Sequence, residues 1–314
     1  MKKRLRTVDL FAGVGGIRLG FEKAGFQTVF ANDFDKTCKD TYDLNFSKPK
    51  LTIKDIWKVN IKDIPKFDIL LGGFPCQAFS IAGYRKGFKD KKDRGNLFFR
   101  IVEILEERKP KAFLLENVKN LKGHDKGKTF KIIKETLEKL GYNIKSEILN
   151  SMTHGNIPQN RERIFIAGFL DKKKAKKFKF PKKIILKKSY KQFIADEVDN
   201  KYYYNDKPLY KKIKDDINSE STIYQWRRKY VRANKKGVCP TLTANMGTGG
   251  HNVPIIKNHK GIRKLTPKEC FLLQGFPKSF KLPKLSDSKL YHQAGNSVTM
   301  PVIKRMAEEM KKVL

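Results

Sequence analysis

Short apolar runs alternate with amphipathic stretches through the first 170 residues, and each run ends in polar or Gly-rich residues. No other feature constrains this chain as much. RTVDLF (6–11), TVFAND (28–33), DILLGG (68–73), AFLLEN (112–117) and RIFIAGF (163–169) read as buried strands. Between them, GIRLGFEKAG (16–25), LFFRIVEILEERK (97–109) and KTFKIIKETLEKLG (128–141) have helical apolar spacing. Strands alternating with helices imply an α/β architecture with a parallel sheet and right-handed crossovers. Such a sheet takes its ligands at the carboxyl ends of the strands. From about residue 171 the alternation dissolves into Lys-rich and Tyr-rich segments, until TPKECFLLQG (266–275) and VTMPVIKRMAEEMKKVL (298–314) read as helices again. Two domains are therefore expected: residues 1–180, joined by a returning segment 290–314, and a smaller one over 181–289.

The first strand runs through DLFAGVGG (9–16) into a helix. Gly13, Gly15 and Gly16 let backbone approach a ligand, and the helix N-terminus favours a negative group. The dinucleotide fingerprint needs a third glycine, and Arg18 stands in its place. Asp33, at the end of the next strand, is placed to accept from ribose hydroxyls, with Phe34 beside it to stack on an adenine. Asp55 and Ile56 suit the adenine amino group and its apolar face. An acid after a strand is also a common turn or helix cap. Together these residues describe an adenosine site without a clear demand for pyrophosphate, which S-adenosylmethionine fits.

DILLGGFPCQAFS (68–80) places Cys76 after an apolar strand and a Gly-Gly-Phe-Pro turn. A cysteine inside a core strand would be a small hydrophobe, whereas one following Pro75 at a ligand-binding edge reads as reactive. Glu116 ends a neighbouring strand, and Arg161 and Arg163 stand at the start of another. Thiol, carboxylic acid and arginine suit attack on a polarised ring. A protease would need a histidine to orient Cys76, and none of His124, His154, His251, His259 and His292 is marked for that role.

Composition narrows the partner. Lys and Arg number 69 against 32 Asp and Glu, a formal +37, while 39% hydrophobic residues are too many for a disordered basic tail. No apolar run approaches the ~18 residues of a membrane span. The four cysteines form no CxxC pair, so structural zinc and disulfide scaffolds are poor readings and no metal is expected. A soluble, cytoplasmic protein with a polyanionic partner is expected. In the run 171–191, eleven Lys accompany one Asp, and a solvated Lys face and a polyanion-binding surface stand equally open. Residues 221–268 hold eleven Lys or Arg and no acid. There Tyr224, Trp226 and Tyr230 neighbour Arg227, Arg228 and Arg232, ahead of the Gly-rich MGTGGHN (246–252). Basic side chains neutralise phosphates, while Arg forks and aromatics touch bases, so this block reads as a nucleic-acid surface.

DLFAGVGG, GGFPCQAFS (72–80), ENVKN (116–120), QNRER (159–163), RKLTPKECFLLQGFP (263–277) and YHQAGNSV (291–298) resemble, in order and spacing, motifs of the bacterial-type cytosine-C5 DNA methyltransferases. The likeness covers nearly the whole chain. It implies a Rossmann-like S-adenosylmethionine-dependent methyltransferase sheet with a second, smaller target-recognition domain, which the acid-free block would occupy. It implies that Cys76 attacks C6 of a cytosine flipped out of double-stranded DNA, that Glu116 holds N3 and the exocyclic amine, and that Arg163 meets O2 with Arg161 in support. By the same resemblance the cofactor lies against Phe11, Gly13, Gly15, Gly16, Asp33, Phe34, Asp55, Ile56, Pro75, Leu97, Asn296 and Ser297. DNA is expected at Gln77 and Ser80, at Arg94 on a mobile catalytic loop (GYRKGFKDKKDRG, 83–95), and at Arg227, Arg228, Arg232, Thr243, Gly249 and Gly250. Ala82 replaces a Ser of some members, and the loop before Gly95 is lengthened, which affects loop–DNA contacts. The resemblance further implies a monomer in a restriction–modification system, with a separate cognate endonuclease and a short GC-containing palindrome, GGNCC or GCNGC in type, as its site. An RNA (tRNA) cytosine-5 methyltransferase on the same scaffold and an inert DNA-binding protein are the alternatives, with a dehydrogenase more distant.

Overall fold

The computed structural model describes residues 4–75, 97–234, 237–248 and 252–314. In chain order the larger elements are β1 (Arg6–Leu10), α1 (Gly16–Lys23), β2 (Gln27–Asp33), α2 (Thr37–Asn45), β3 (Thr52–Ile53), β4 (Ile69–Gly72), α3 (Leu97–Arg108), β5 (Ala112–Val118), α4 (Lys128–Lys139), β6 (Asn143–Asn150), α5 (Ser151–Gly155), β7 (Gln159–Asn160) and β8 (Glu162–Phe169). Then follow α6 (Lys172–Lys177), α7 (Tyr210–Ile213), β9 (Ile223–Trp226), β10 (Val231–Asn234), β11 (Cys239–Pro240), β12 (Ile255–Asn258), β13 (Gly261–Lys264), α8 (Pro267–Leu273), α9 (Asp287–Asn296) and α10 (Met300–Val313). The chain forms two compact units. One comprises Met1–Leu149, Glu162–Pro181 and Ile303–Leu314, the other Asn150–Arg161 and Lys182–Val302.

In the first unit a seven-stranded sheet runs β3-β2-β1-β4-β5-β8-β6. β4 is buried along its whole length and β5 up to Asn117, as expected of strands covered on both faces. Val8, Leu70, Phe98, Ile101, Phe113 and Ile166 form the centre of the core. β1 to β5 pair in parallel, but β8 runs antiparallel to β5, with Ala112 opposite Phe169 and Val118 opposite Arg163. The parallel direction expected for RIFIAGF is thus corrected. Residues 151–161 are all that joins β6 to the neighbouring β8, and a parallel return needs a crossover of about a dozen residues or more. The reversal has a chemical consequence, because it puts Arg163, at the start of β8, at the edge where β5 ends.

Against the expected 1–180 with 290–314, the first unit runs to Pro181 without residues 150–161 and takes in the tail only from Ile303. Residues 150–161 and the tail up to Val302 pack with the second unit. The guanidinium of Arg161, buried at 3% exposure, holds them there, donating to the carbonyls of Leu242, Gly295 and Ser297 at 2.6, 3.2 and 2.5 Å.

The second unit carries an antiparallel sheet, β10-β9-β12-β13, over a core of Tyr204, Ile213, Ile217, Tyr224, Ile255 and Ile262. Tyr224 is thus a core residue rather than a base-contacting aromatic, because its place on β9 points it inward. Beneath the sheet, Arg263 and Glu269 form a buried pair with two hydrogen bonds, 2.9 and 2.8 Å. Glu269 also accepts from the Thr266 and Ala195 N–H groups, completing a capping box at the start of α8. Among the described residues no helix is long and apolar enough to cross a membrane.

Candidate active site

In the first unit β1, β2, β4 and β5 all end at one edge of the sheet. After β1 the chain turns through Phe11, Gly13 and Gly15 at φ values of 55, 52 and 83°, and Gly16 opens α1. Gly15 is required sterically, since a Cβ there would lie 2.3 Å from the Phe46 ring. At Gly13 nothing lies within 4 Å of where a Cβ would sit, so the turn leaves an open cradle. The Gly13 N–H donates to Asp33 Oδ2 at 2.7 Å and the Asp35 N–H to Oδ1 at 2.8 Å. Burial raises the Asp33 pKa against those hydrogen bonds, which hold it down. A carboxylate has about four acceptor sites, so Asp33 retains capacity for ligand hydroxyls. Phe34 is 77% exposed beside it. Asp55 accepts from the Trp57 N–H at 3.1 Å and so caps a short turn in which Ile56 is buried. Leu97 packs partly buried against the core at the start of α3.

Arg18, in the position of the missing glycine, is structural. Its guanidinium donates to Tyr42 Oη and to the carbonyls of Pro49 and Lys48, at 2.9, 2.8 and 2.7 Å, and lies over the Phe46 ring.

Asp9 is the residue the sequence did not single out. It lies in β1, fully buried, and among the described residues neither carboxylate oxygen has a hydrogen-bond partner. Burial raises its pKa to about 7, opposed by the charge of Arg18. Its signal was an acid inside an otherwise apolar strand. A native pKa above the unfolded one means that the folded state holds the proton more tightly, so stability is lost as pH rises from about 4 to 7. Asp9→Asn is therefore expected to raise the melting temperature over the wild type at pH 8, with the gap closing towards pH 4. A gap of equal size at both pH values would contradict the assignment.

The loop after β4 is held by β5, because Asn117 Nδ2 donates to the Phe74 carbonyl at 2.9 Å in a buried contact. Pro75 follows, exposed. A Cβ at Gly73 would be 3.5 Å from Glu116 Oε2, so the Glu116 carboxylate lies over this loop. Arg163 Nε is 3.1 Å from Glu116 Oε1, an ion pair, yet its N–H is not aimed at that oxygen, and buried Oε1 accepts no hydrogen bond among the described residues. The edge thus combines an acceptor turn, an aromatic, and a carboxylate–guanidinium pair beside the loop that leads to Cys76. Cys76, Gln77, Ser80 and Arg94, with the rest of segment 83–95, lie outside the described residues, as do Gly249 and Gly250.

The second unit holds the other expected residues. Arg161 belongs to it, taken up by backbone carbonyls, whereas Arg163, two residues on, belongs to the first unit and pairs with Glu116. Arg227 and Arg228 form the exposed tip of the β9–β10 hairpin with Tyr230, which is 58% exposed, and Arg232 is exposed on β10. Thr243 is exposed at the turn 244–247, which lies directly on α9. A Cβ at Gly295 would meet the Thr243 carbonyl carbon at 2.2 Å, and one at Gly247 the Ser288 carbonyl oxygen at 2.5 Å, so both glycines are needed for this close packing. Asn296 Nδ2 lies 3.0 Å from His292 Nε2, and the buried Ser297 Oγ has no hydrogen-bond partner among the described residues.

The family model for C-5 cytosine-specific DNA methylase matches residues 5–312. The chain is 55% identical over 313 residues to Type II methyltransferase M.Bsp6I of Bacillus sp. (strain RFL6), covering 98% of this chain and 99% of the relative. It is 42% identical to Type II methyltransferase M.DsaV of Dactylococcopsis salina, covering 98% and 86%. The solved structure of the S. pombe Dnmt2 methyltransferase shares the fold, with a TM-score of 0.75 over 98% of this chain and 99% of that one at 21% identity. The chain belongs to the C-5 cytosine-specific DNA methylase family and is a DNA cytosine-C5 methyltransferase that uses S-adenosylmethionine as methyl donor.

Proposed function

We propose that the enzyme methylates a cytosine flipped out of a short duplex site, with Cys76 as nucleophile and Glu116 and Arg163 as its partners on the base. The observation that carries this reading is the ion pair between Glu116 and Arg163 at the edge where the Phe74–Pro75 loop leads to Cys76. The cofactor fits the turn after β1. Gly13 leaves room, Asp33 can accept from hydroxyls, and Phe34 offers an aromatic face. Phe11, Gly15, Gly16, Asp55, Ile56, Pro75 and Leu97 complete the proposed set, and the sequence resemblance adds Asn296 and Ser297. When bound, S-adenosylmethionine supplies an activated methyl group.

Cytosine C5 is too weak a nucleophile to accept a methyl group unaided. The Cys76 thiolate adds to C6, and electron density builds at C5 and N3. Glu116 holds N3 and the exocyclic amine, favouring protonation at N3 as charge builds there, while Arg163 meets O2 and orients the Glu116 carboxyl group. After methylation, loss of the C5 proton restores the double bond and expels the thiolate. A stacked base does not admit this approach, which is why the cytosine leaves the helix. Arg161 acts as a positioning residue through its three carbonyl contacts, not as a group on the base. Arg227, Arg228, Arg232 and Thr243, with Gly249 and Gly250, are proposed to read the duplex, with Gln77 and Ser80, and Arg94 on the catalytic loop, also meeting it. The Type II names of the relatives support a restriction–modification role beside a separate endonuclease. A monomer acting in the cytoplasm on a short GC-containing palindrome completes the reading.

Glu116→Gln is expected to lower kcat by roughly 10²- to 10³-fold while S-adenosylmethionine affinity stays near that of the wild type. Steady-state kinetics and calorimetric binding of the cofactor check this. Unchanged kcat, or a loss located in cofactor binding, would remove Glu116 from the base.

A further inference from the structure

The opposite edge of the first unit's sheet bears a basic surface that catalysis does not use. β5 begins there and β8 ends there, with the Leu170 N–H donating to the Lys111 carbonyl at 3.1 Å and Asn143 Nδ2 to the Phe169 carbonyl at 3.1 Å. α6 follows, its N-terminus capped by Asp171, which accepts from the Lys173 and Lys174 N–H groups. Ala175 is its buried residue, and Lys172, Lys173, Lys176 and Lys177 are exposed. Lys66 and Lys109, ahead of β4 and β5, are exposed at the same edge, where Glu106 and Glu107 are also exposed and Lys111 pairs with Asp68 at 2.8 Å, so the uncompensated charge is concentrated on α6.

Two readings of this run were open, a solvated Lys face and a polyanion-binding surface, and the contrast with α4 favours the second. There Lys131 and Lys134 face Glu135 and Glu138 one turn away at 3.8 and 3.7 Å, so the charge is locally compensated. On α6 the pairs one turn apart, Lys172 with Lys176 and Lys173 with Lys177, are like charges that destabilise a helix. Among the described residues no carboxylate lies within 4 Å of any of the four ammonium groups, and the capping Asp171 is the acid whose charge Lys173 feels. A dense array of negative charge, such as a run of phosphates, would relieve that repulsion.

We propose that this edge binds the phosphates of a second segment of duplex DNA, without sequence preference, while the catalytic edge engages its own. The seven residues of β5 separate the two edges by roughly 20 Å at ~3.3 Å per residue. That distance is about two Debye lengths at 0.1 M salt, so the α6 lysines act on DNA in direct contact and not on DNA at the other edge. Lysine ammonium groups neutralise phosphates without reading bases, and a long duplex substrate presents further segments at high local concentration.

The test uses the full chain and two duplexes of about 300 bp of mixed sequence, one immobilised and one fluorescent, at about 50 mM salt. Wild type is expected to retain the fluorescent duplex on the immobilised one. The variant Lys172→Ala/Lys173→Ala/Lys176→Ala/Lys177→Ala is expected to lose that capture. It should fold, since alanine favours helix and the repulsion is relieved. Its plot of log affinity against log salt for one long duplex is expected to be shallower by roughly 3 to 4 units, from about 0.9 per phosphate contact. Methyl transfer to short duplex fragments should stay at the wild-type rate, which separates this surface from the catalytic site. The control Lys131→Ala/Lys134→Ala should capture as wild type does. Failure of wild type to capture the second duplex, capture undiminished in the α6 variant, or an equal loss in the α4 control would each overturn the proposal.

Discussion

Cys76→Ala is expected to lower methyl transfer by at least about 10⁴-fold while duplex binding persists, because the variant lacks the proposed nucleophile. The remaining cysteines do not substitute for it. Cys38, Cys239 and Cys270 are buried, and burial pushes each thiol far above the ordinary thiol range, leaving them un-ionised and inert. Cys76 instead follows Pro75 in the sequence, two residues after the Phe74 carbonyl that Asn117 holds. A duplex carrying 5-fluorocytosine gives a second readout. Once C6 bears sulfur and C5 the new methyl group, the fluorine cannot leave as a cation where the proton would have left. The adduct therefore persists. Wild type should remain attached to such DNA after denaturation, and Cys76→Ala should not. Undiminished turnover, or an adduct formed by Cys76→Ala, would refute the assigned nucleophile.

Arg263→Met should destabilise the second unit by about 3–5 kcal/mol, because it leaves Glu269 as an unpaired charge in a dry interior. Glu269 is 2% exposed and Arg263 fully buried. The pair ties together β13, the N-terminus of α8 and the backbone at Ala195, with four hydrogen bonds converging on one carboxylate. Adding Glu269→Gln should recover much of the loss, since a neutral amide still caps α8 and tolerates the missing guanidinium. Urea unfolding followed by fluorescence resolves the two units, because Trp57 lies in the first and Trp226 in the second. In a Trp57→Phe background, an unchanged Trp226 transition in Arg263→Met would show that the pair contributes little.

The first unit was legible because a strand buried on both faces is written as an apolar run, and the acids proposed to meet ligands, Asp33 and Glu116, stand at the ends of such runs. The direction of β8 was not, since it depends on the short connection from β6, whose sequence NIKSEILN (143–150) has no apolar run to mark it. Asp9 was hidden by the same logic that found the strand, because a single acid in an apolar run does not declare whether it is paired. Arg161 and Arg163 looked equivalent in sequence, and only the position of the distant carbonyls of Leu242, Gly295 and Ser297 separates them. In the second unit the strands are four residues long, too short for a periodic pattern, so Tyr224 in the core and Tyr230 at a hairpin tip read alike.

Bisulfite sequencing of DNA from cells expressing the enzyme, beside cells expressing Cys76→Ala, tests the central claim most directly. Protected cytosines confined to one short recurrent site in the wild-type sample, and absent with Cys76→Ala, are the predicted result. DNA without protected cytosines, with labelled methyl groups from S-adenosylmethionine recovered in tRNA instead, would contradict it.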